Sequence, residues 1–472
     1  MKWEVVMGLE VHAELSTNTK IFCGCSAKFG GEPNTYVCDV CTGMPGTLPV
    51  LNQAVVESAV KLGLALECDI TSPNRFDRKN YFYPDLPKAY QVSQLYSPIC
   101  QNGKMELDGG TVRIRQIHME EDAGKLLHTD GYTQMDYNRA GVPLLEIVSQ
   151  PDFRTTEEVI AYLEQLREIL VYLGICDGKM QEGSMRADVN LSVRPIGEEK
   201  FGTRTETKNL NSFKAISRAI AHETARQIEI LEKGGEITQE TRRWDDDKGE
   251  SYSMRSKENS HDYRYFPEPD LPPVYIDEEW LARLRSEQPE FAHQKRQRYQ
   301  SEHCLSPKDA AILTQHKPIA ELFDRLVALS DNPRESFNLI TIELMRLMNT
   351  LGVAPQELQV APEKLAVLIS LVTGGKINRN AYKQAVAAVY TTGCDPQEYI
   401  KANNLMMQET DSTAILDVAK SVIAENPTAV EEYRSGKQKA FGFLMGQMMK
   451  KLGNNANPEL AKKTLSEYLD EI

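Results

Sequence analysis

No run of about 18 consecutive apolar residues, the length a membrane-crossing helix needs, occurs in this chain of 472 residues. The N-terminus shows no basic segment followed by an apolar one, so a secretory signal is not expected. The phosphate-cradling patterns G-x-x-x-x-G-K-[ST] and G-x-G-x-x-G are missing, as is the G-x-S-x-G elbow. Any use of ATP must therefore proceed without a Walker loop, and a self-sufficient hydrolase is not indicated. A glycine- and serine-rich amidase signature is lacking too. Disulfide spacing is absent: the nine cysteines are odd in number, and Cys68, Cys100, Cys176, Cys304 and Cys394 stand singly. That usage suits a reducing compartment, and a cytoplasmic location is expected.

What is present suffices for sizeable cores. Hydrophobic residues make up 41% of the chain, and the length suggests roughly three domains. A net charge of −14 argues against a surface coated for nucleic acid. The stretch 433–463 is the exception, with Arg434, Lys437, Lys439, Lys450, Lys451, Lys462 and Lys463 against Glu459 alone. A polyanion or merely solvent could face it. The first 270 residues mix strand-like alternation with Gly/Pro turns and a few long helices. In "TTEEVIAYLEQLREILVYLG", Thr155 and Glu158 form a capping-box pattern, and Gly174 stands where a C-terminal cap belongs. A second helix is expected from Phe213 to Lys233. "YFPEPDLPPVY" carries four prolines and reads as a linker or extended strap. Beyond about Glu278 the pattern is almost wholly helical. The expected fold class is α+β: a mixed α/β cradle domain at 1–292, an all-α helical domain at 293–403 and a small basic helical tail domain at 404–472.

Six stretches carry candidate chemistry. "VVMGLEVHAEL" alternates apolar odd positions with Glu10, His12 and Glu14, the pattern of a half-buried strand. Its polar face is either ordinary solvent surface or a metal-holding surface. "CGCSAKFGGEPNTYVCDVC" places twelve residues between the pair Cys23 and Cys25 and the pair Cys38 and Cys41. Two close pairs joined by a Gly/Pro loop suit a closed, structural zinc site. "RFDRKNYFYPDLPKAYQVSQ" interleaves Arg75, Arg78, Lys79 and Lys88 with Tyr81, Phe82, Tyr83 and Tyr90, a mixture that suits a nucleotide or an RNA end. "IHMEEDAGK" stacks Glu120, Glu121 and Asp122, whose mutual repulsion a cation would relieve. Farther on, "EGSMRADVN" and "GTRTETKNLNSF" offer Glu182, Arg186, Asp188, Asn190, Glu206, Lys208 and Asn209.

Together with "DYNRAGVPLLEIVSQPD" and "DYRYFPEPDLPP", these segments closely resemble the B subunit of aspartyl/glutamyl-tRNA(Asn/Gln) amidotransferases, and the likeness runs to "KQKAFGFLMGQMMKK" near the end. The resemblance implies a catalytic cradle followed by a helical domain and a small tail domain. It implies an ATP-dependent ligase that phosphorylates the side-chain carboxylate of a mischarged tRNA(Gln) or tRNA(Asn) and displaces the phosphate with ammonia. Two further polypeptides of the amidotransferase, a glutaminase and a small strap-like protein, would be its partners in a heterotrimer. By motif position, Glu10, His12, Glu121 and Glu206 are expected to hold Mg2+, and the four cysteines structural Zn2+. Lys79 and Lys88, with Glu121, are expected to touch phosphate or gate ammonia, and Arg78, Tyr81, Tyr83 and Lys208 to contact ATP. A zinc-stapled RNA-binding scaffold without catalysis is the competing reading. An archaeal relative with an extra inserted domain does not fit the length.

Overall fold

The computed structural model describes residues 2–256, 263–407, 412–435, 437–452 and 458–471. Chain contacts divide it into two compact units, Met1–Phe291 and Ala292–Ile472.

The first unit is built on β-strands. In chain order they are β1 (Trp3–Glu14), β2 (Asp69–Ile70), β3 (Asp77–Asn80), β4 (Tyr90–Ser93), β5 (Cys100–Leu107), β6 (Gly110–Glu121) and β7 (Lys125–Thr129). There follow β8 (Tyr132–Asp136), β9 (Pro143–Ser149), β10 (Met185–Pro195), β11 (Thr205–Lys208), β12 (Glu240–Asp245), β13 (Glu250–Ser256) and β14 (Phe266–Pro267). Nine of them form one sheet in the order β13-β12-β11-β10-β1-β9-β6-β5-β2. Only β11 and β12 run parallel; the other neighbours are antiparallel. Strands β14, β3 and β4 make a small second sheet, and β7 and β8 a hairpin.

Alternation sets the two faces of the large sheet. Along β1, Met7, Leu9, Val11 and Ala13 are at most 1% exposed, and each such burial stabilises by roughly 1–3 kcal/mol, least for alanine. Helices α1 (Gln53–Ala65), α2 (Thr156–Leu173) and α3 (Phe213–Glu232) supply cover: α1 packs on β6, α2 on β5 and α3 on β10. The ends of α2 follow the residue chemistry: Thr155 and Glu158 form the reciprocal capping box, and Gly174 closes the helix at φ 71°, where glycine carries no Cβ penalty. The proline-rich segment is a strap. Phe266 and Pro267 pair with Arg78 and Asp77 of β3, and Glu268 N–H donates to the Phe76 carbonyl at 2.9 Å.

The second unit is helical, from Ala292–Ser301 to Pro458–Glu471. Within it lie two separate hydrophobic clusters, one drawn from Tyr299 to Ile400 and one from Ile415 to Leu469. The positive excess around 433–463 is partly answered by nearby acids outside that window: Lys437 pairs with Glu432, Lys451 with Glu425 and Lys463 with Glu467. Among the described residues, no helix is long and apolar enough to cross a membrane.

Candidate active site and metal centres

The polar face of β1 meets acids and imidazoles from both neighbouring strands. In the antiparallel register, His12 on β1 stands opposite Glu146 on β9, and Glu146 stands opposite His118 on β6. One rung across three strands therefore reads His12–Glu146–His118. Glu146 accepts from His118 Nε2 at 2.7 Å and lies 3.6 Å from His12 Nε2. Two residues along β6, Glu120 shares the face and comes within 3.7 Å of both imidazoles. Ser93 Oγ donates to its second oxygen at 3.2 Å.

Electrostatics within the rung are strongly perturbed. Burial alone would lower the pKa of His12, but Glu146 and then Glu120 outweigh it and raise the imidazole to about 9. Burial likewise opposes ionisation of Glu146, yet the two histidines hold its carboxyl well below the usual range. Glu120 is pushed up, first by burial and then by Glu146. A divalent cation replacing the proton on His12 would satisfy the same acids, and His12, Glu120 and Glu146 can each turn a ligand atom to within 4.8 Å of the others.

A second acidic group lies beside the first. Glu10, two residues before His12, stands opposite Asp188 on β10, and Glu206 on β11 stands opposite Asn190. Glu10, Asp188 and Glu206 likewise bring ligand oxygens within 4.8 Å of one another. Lys208 Nζ reaches Asp188 at 2.5 Å and Glu206 at 2.7 Å; burial works against its charge, but these acids raise its pKa. Asn190 donates to Glu10 at 3.0 Å. Burial, then Glu146 and Glu206, raise the pKa of Glu10.

Of the residues expected to share one cation, Glu10 and Glu206 come together and His12 lies in the neighbouring group. Glu121 does not join them. Successive strand residues point to opposite faces, so Glu120 occupies the acidic face and Glu121 turns away. There its two oxygens meet Lys88 Nζ at 2.6 and 2.8 Å, and one accepts from Val92 N–H at 2.9 Å. The sequence offered Asp188 as a candidate, but Glu146 and His118 were not singled out as part of a site. Glu146 was visible as the sole acid in the apolar run "PLLEIVS" of β9.

Glu10, Glu120, Glu146, His118 and Lys79 line a cleft of about 640 Å³. Lys79 Nζ lies over the rings of Tyr81 and Tyr263 at 5.6 and 5.1 Å. Arg78 is committed elsewhere: its guanidinium forks onto Glu268 at 2.7 and 2.8 Å and reaches Asp270 at 3.0 Å, with the Tyr90 ring 4.3 Å away. Lys208 serves the second acidic group, and Tyr83 is exposed at the surface.

The cysteines also converge. Cys23, Cys25, Cys38 and Cys41 place all four sulfurs within 4.8 Å of one another. A tetrahedral Zn–S bond of about 2.3 Å implies sulfurs about 3.8 Å apart, so the set fits a metal such as zinc. Cys41 is pulled down to about 4 by the hydrogen bond from Cys23 foremost, against its burial. Two residues past it, Gly43 sits at φ +71°, and a Cβ there would come 2.6 Å from Lys88 Cγ. The cysteine loop thus packs directly on the Lys88–Glu121 pair. Cys23, Cys41, Gly43, Lys88 and Glu121 share a small cavity of about 130 Å³.

Residues 5–282 match the family model described as GatB/GatE catalytic domain, and residues 321–469 the one described as GatB domain. The chain is similar to the protein named as the B subunit of aspartyl/glutamyl-tRNA(Asn/Gln) amidotransferase in Lachnoclostridium phytofermentans, at 52% identity over 99% of each chain. Its likeness to the proteins of that name from Caldicellulosiruptor bescii (52%, all of each chain) and Lachnospira eligens (53%, 99% of each) is as great. The chain belongs to the GatB/GatE family.

Proposed function

We propose that this chain is the member of an ATP-dependent tRNA amidotransferase complex that activates the substrate carboxylate. The side chain of glutamate on tRNA(Gln), or of aspartate on tRNA(Asn), would be phosphorylated and the phosphate then displaced by ammonia. Ammonia would come from a separate glutaminase polypeptide, strapped on by a small third one, because this chain carries no amidase signature. The observation that carries the reading is the pair of acid clusters on one sheet face, with Glu10 of one and Glu120 and Glu146 of the other lining a cleft together with Lys79.

The chemistry asks for such a face. A carboxylate does not give up oxide to ammonia, whereas an acyl phosphate loses phosphate readily. Making it brings two anions together, the carboxylate and the γ-phosphate, and divalent cations are the usual remedy. Held by His12, Glu120 and Glu146 and by Glu10, Asp188 and Glu206, Mg2+ would supply that charge neutralisation. Among the described residues no carboxylate lies within 4 Å of Lys79 Nζ, which leaves its charge for phosphate. His118 holds Glu146 in place through the 2.7 Å bond. Lys88 and Glu121, on the opposite face, suit control of the ammonia path, since opening their ion pair exposes polar groups to a passing amine. The four cysteines would hold zinc as a loop staple, with no ligand position left for chemistry. The exposed cations of 404–472 would touch tRNA.

The test is amide formation. The reconstituted complex, given mischarged tRNA, ATP and ammonium salt, should yield amidated aminoacyl-tRNA, and Glu146→Gln should abolish it while tRNA still binds. An unmodified complex that binds tRNA but turns over no ATP would support the scaffold reading instead.

A further inference from the structure

Lys20 is fully buried, at 0% exposure. An ammonium that leaves water needs an anion or a full set of acceptors. Two partners meet its Nζ: the Tyr137 carbonyl at 3.2 Å and Cys41 Sγ at 3.5 Å. Among the described residues, no carboxylate lies within 4 Å of it. The carboxylates lining the same small cavity are already engaged, Glu121 by Lys88 and Glu268 and Asp270 by Arg78. The countercharge left for Lys20 is the sulfur of Cys41.

We propose that Lys20 is the positioning residue and resident counter-cation of the four-cysteine metal centre, donating an N–H···S hydrogen bond to Cys41. This rests on the reading of Cys23, Cys25, Cys38 and Cys41 as zinc ligands. Four thiolates around Zn2+ carry a net charge of −2, which a low-dielectric setting disfavours. Backbone N–H groups meet part of that charge, as Cys38 N–H does at Cys41 Sγ over 3.2 Å. Lys20 adds a full positive charge to the same sulfur. Its own main chain ties the arrangement together: Lys20 N–H donates to the Cys25 carbonyl at 3.0 Å, and Ile21 N–H to the Gly141 carbonyl at 3.0 Å. The cation therefore stands where the cysteine loop joins the β-sheet unit, and outer partners of this kind set metal affinity as well as geometry.

The experiment is a competition between the zinc-loaded full-length chain and a chromogenic chelator. Lys20→Met, which keeps the length and removes the charge, should weaken zinc retention about 10- to 100-fold, and Lys20→Arg should recover most of the loss. Retention by Lys20→Met within twofold of the unmodified chain would overturn the proposal. So would an equal loss in both variants, which would mean packing rather than charge. An unmodified chain that binds no zinc would overturn the zinc reading itself, a different result from either. Should Lys20→Met fail to fold, the unmodified chain loaded with cadmium-113 decides. The lysine-labelled protein should then show Lys20 ammonium protons coupled to the metal through Cys41, and no coupling with cadmium seated on the four sulfurs would refute it.

Discussion

Lowering the pH should release a divalent cation from the His12–Glu120–Glu146 group, and the structure sets how steeply. Without metal, Glu146 and Glu120 raise His12 to about 9, so below that pH its ring nitrogen carries a proton that an incoming ion must displace. Each unit below 9 then costs a factor of about ten in apparent affinity, or about 1.4 kcal/mol. Between pH 9 and pH 7 the loss is about 100-fold, roughly 3 kcal/mol. Glu146, held ionised by the two histidines, adds no pH dependence in this window, while the raised Glu120 works in the same direction as His12. Mn2+ calorimetry on a Glu10→Gln chain, which disables the neighbouring acid group, isolates the site. Repeated in buffers of different ionisation enthalpy, it should report about one proton released per ion at pH 7. Affinity that stays flat from pH 7 to 9, with no proton release, would refute the reasoning.

The same titration has a stability counterpart. A raised histidine pKa stabilises the metal-free fold fully below the unfolded value near 6.5, and that contribution is lost as pH rises through about 9. Thermal unfolding in chelator should show the unmodified chain losing more stability than His12→Gln over that interval. Lys88→Met leaves the Glu121 carboxylate, 7% exposed, without its cation and should cost about 3–5 kcal/mol in urea unfolding. Adding Glu121→Gln should restore most of it, and no restoration would contradict the pairing. Thr155→Ala removes one half of the α2 capping box and should cost about 1 kcal/mol, with amide formation by the complex unchanged.

Much of this arrangement was legible in the sequence where the signal was local. Alternation in "VVMGLEVHAEL" marked β1 and put Glu10 and His12 on one face. Thr155, Glu158 and Gly174 marked both ends of α2, and the spacing of the cysteine pairs marked a loop whose four sulfurs converge closely enough to hold a metal. The rest depends on which strands become neighbours. Glu146 gains its role only because β9 lies between β1 and β6, opposite His12 on one side and His118 on the other, and no local pattern encodes that adjacency. Glu120 and Glu121 differ only in strand phase, which adjacent carboxylates cannot reveal by themselves. Arg78 shows the same limit: its partner Glu268 comes from a strap 190 residues farther along the chain.

Residues distant in sequence bring two groups of metal-ligating side chains together side by side on one sheet face. Anomalous scattering from crystals of the complex soaked with Mn2+ and a non-hydrolysable ATP analogue tests it most directly. One peak is expected among His12, Glu120 and Glu146, and a second among Glu10, Asp188 and Glu206. Ordered nucleotide with no manganese at either group, or manganese bound at Glu121 instead, would contradict it.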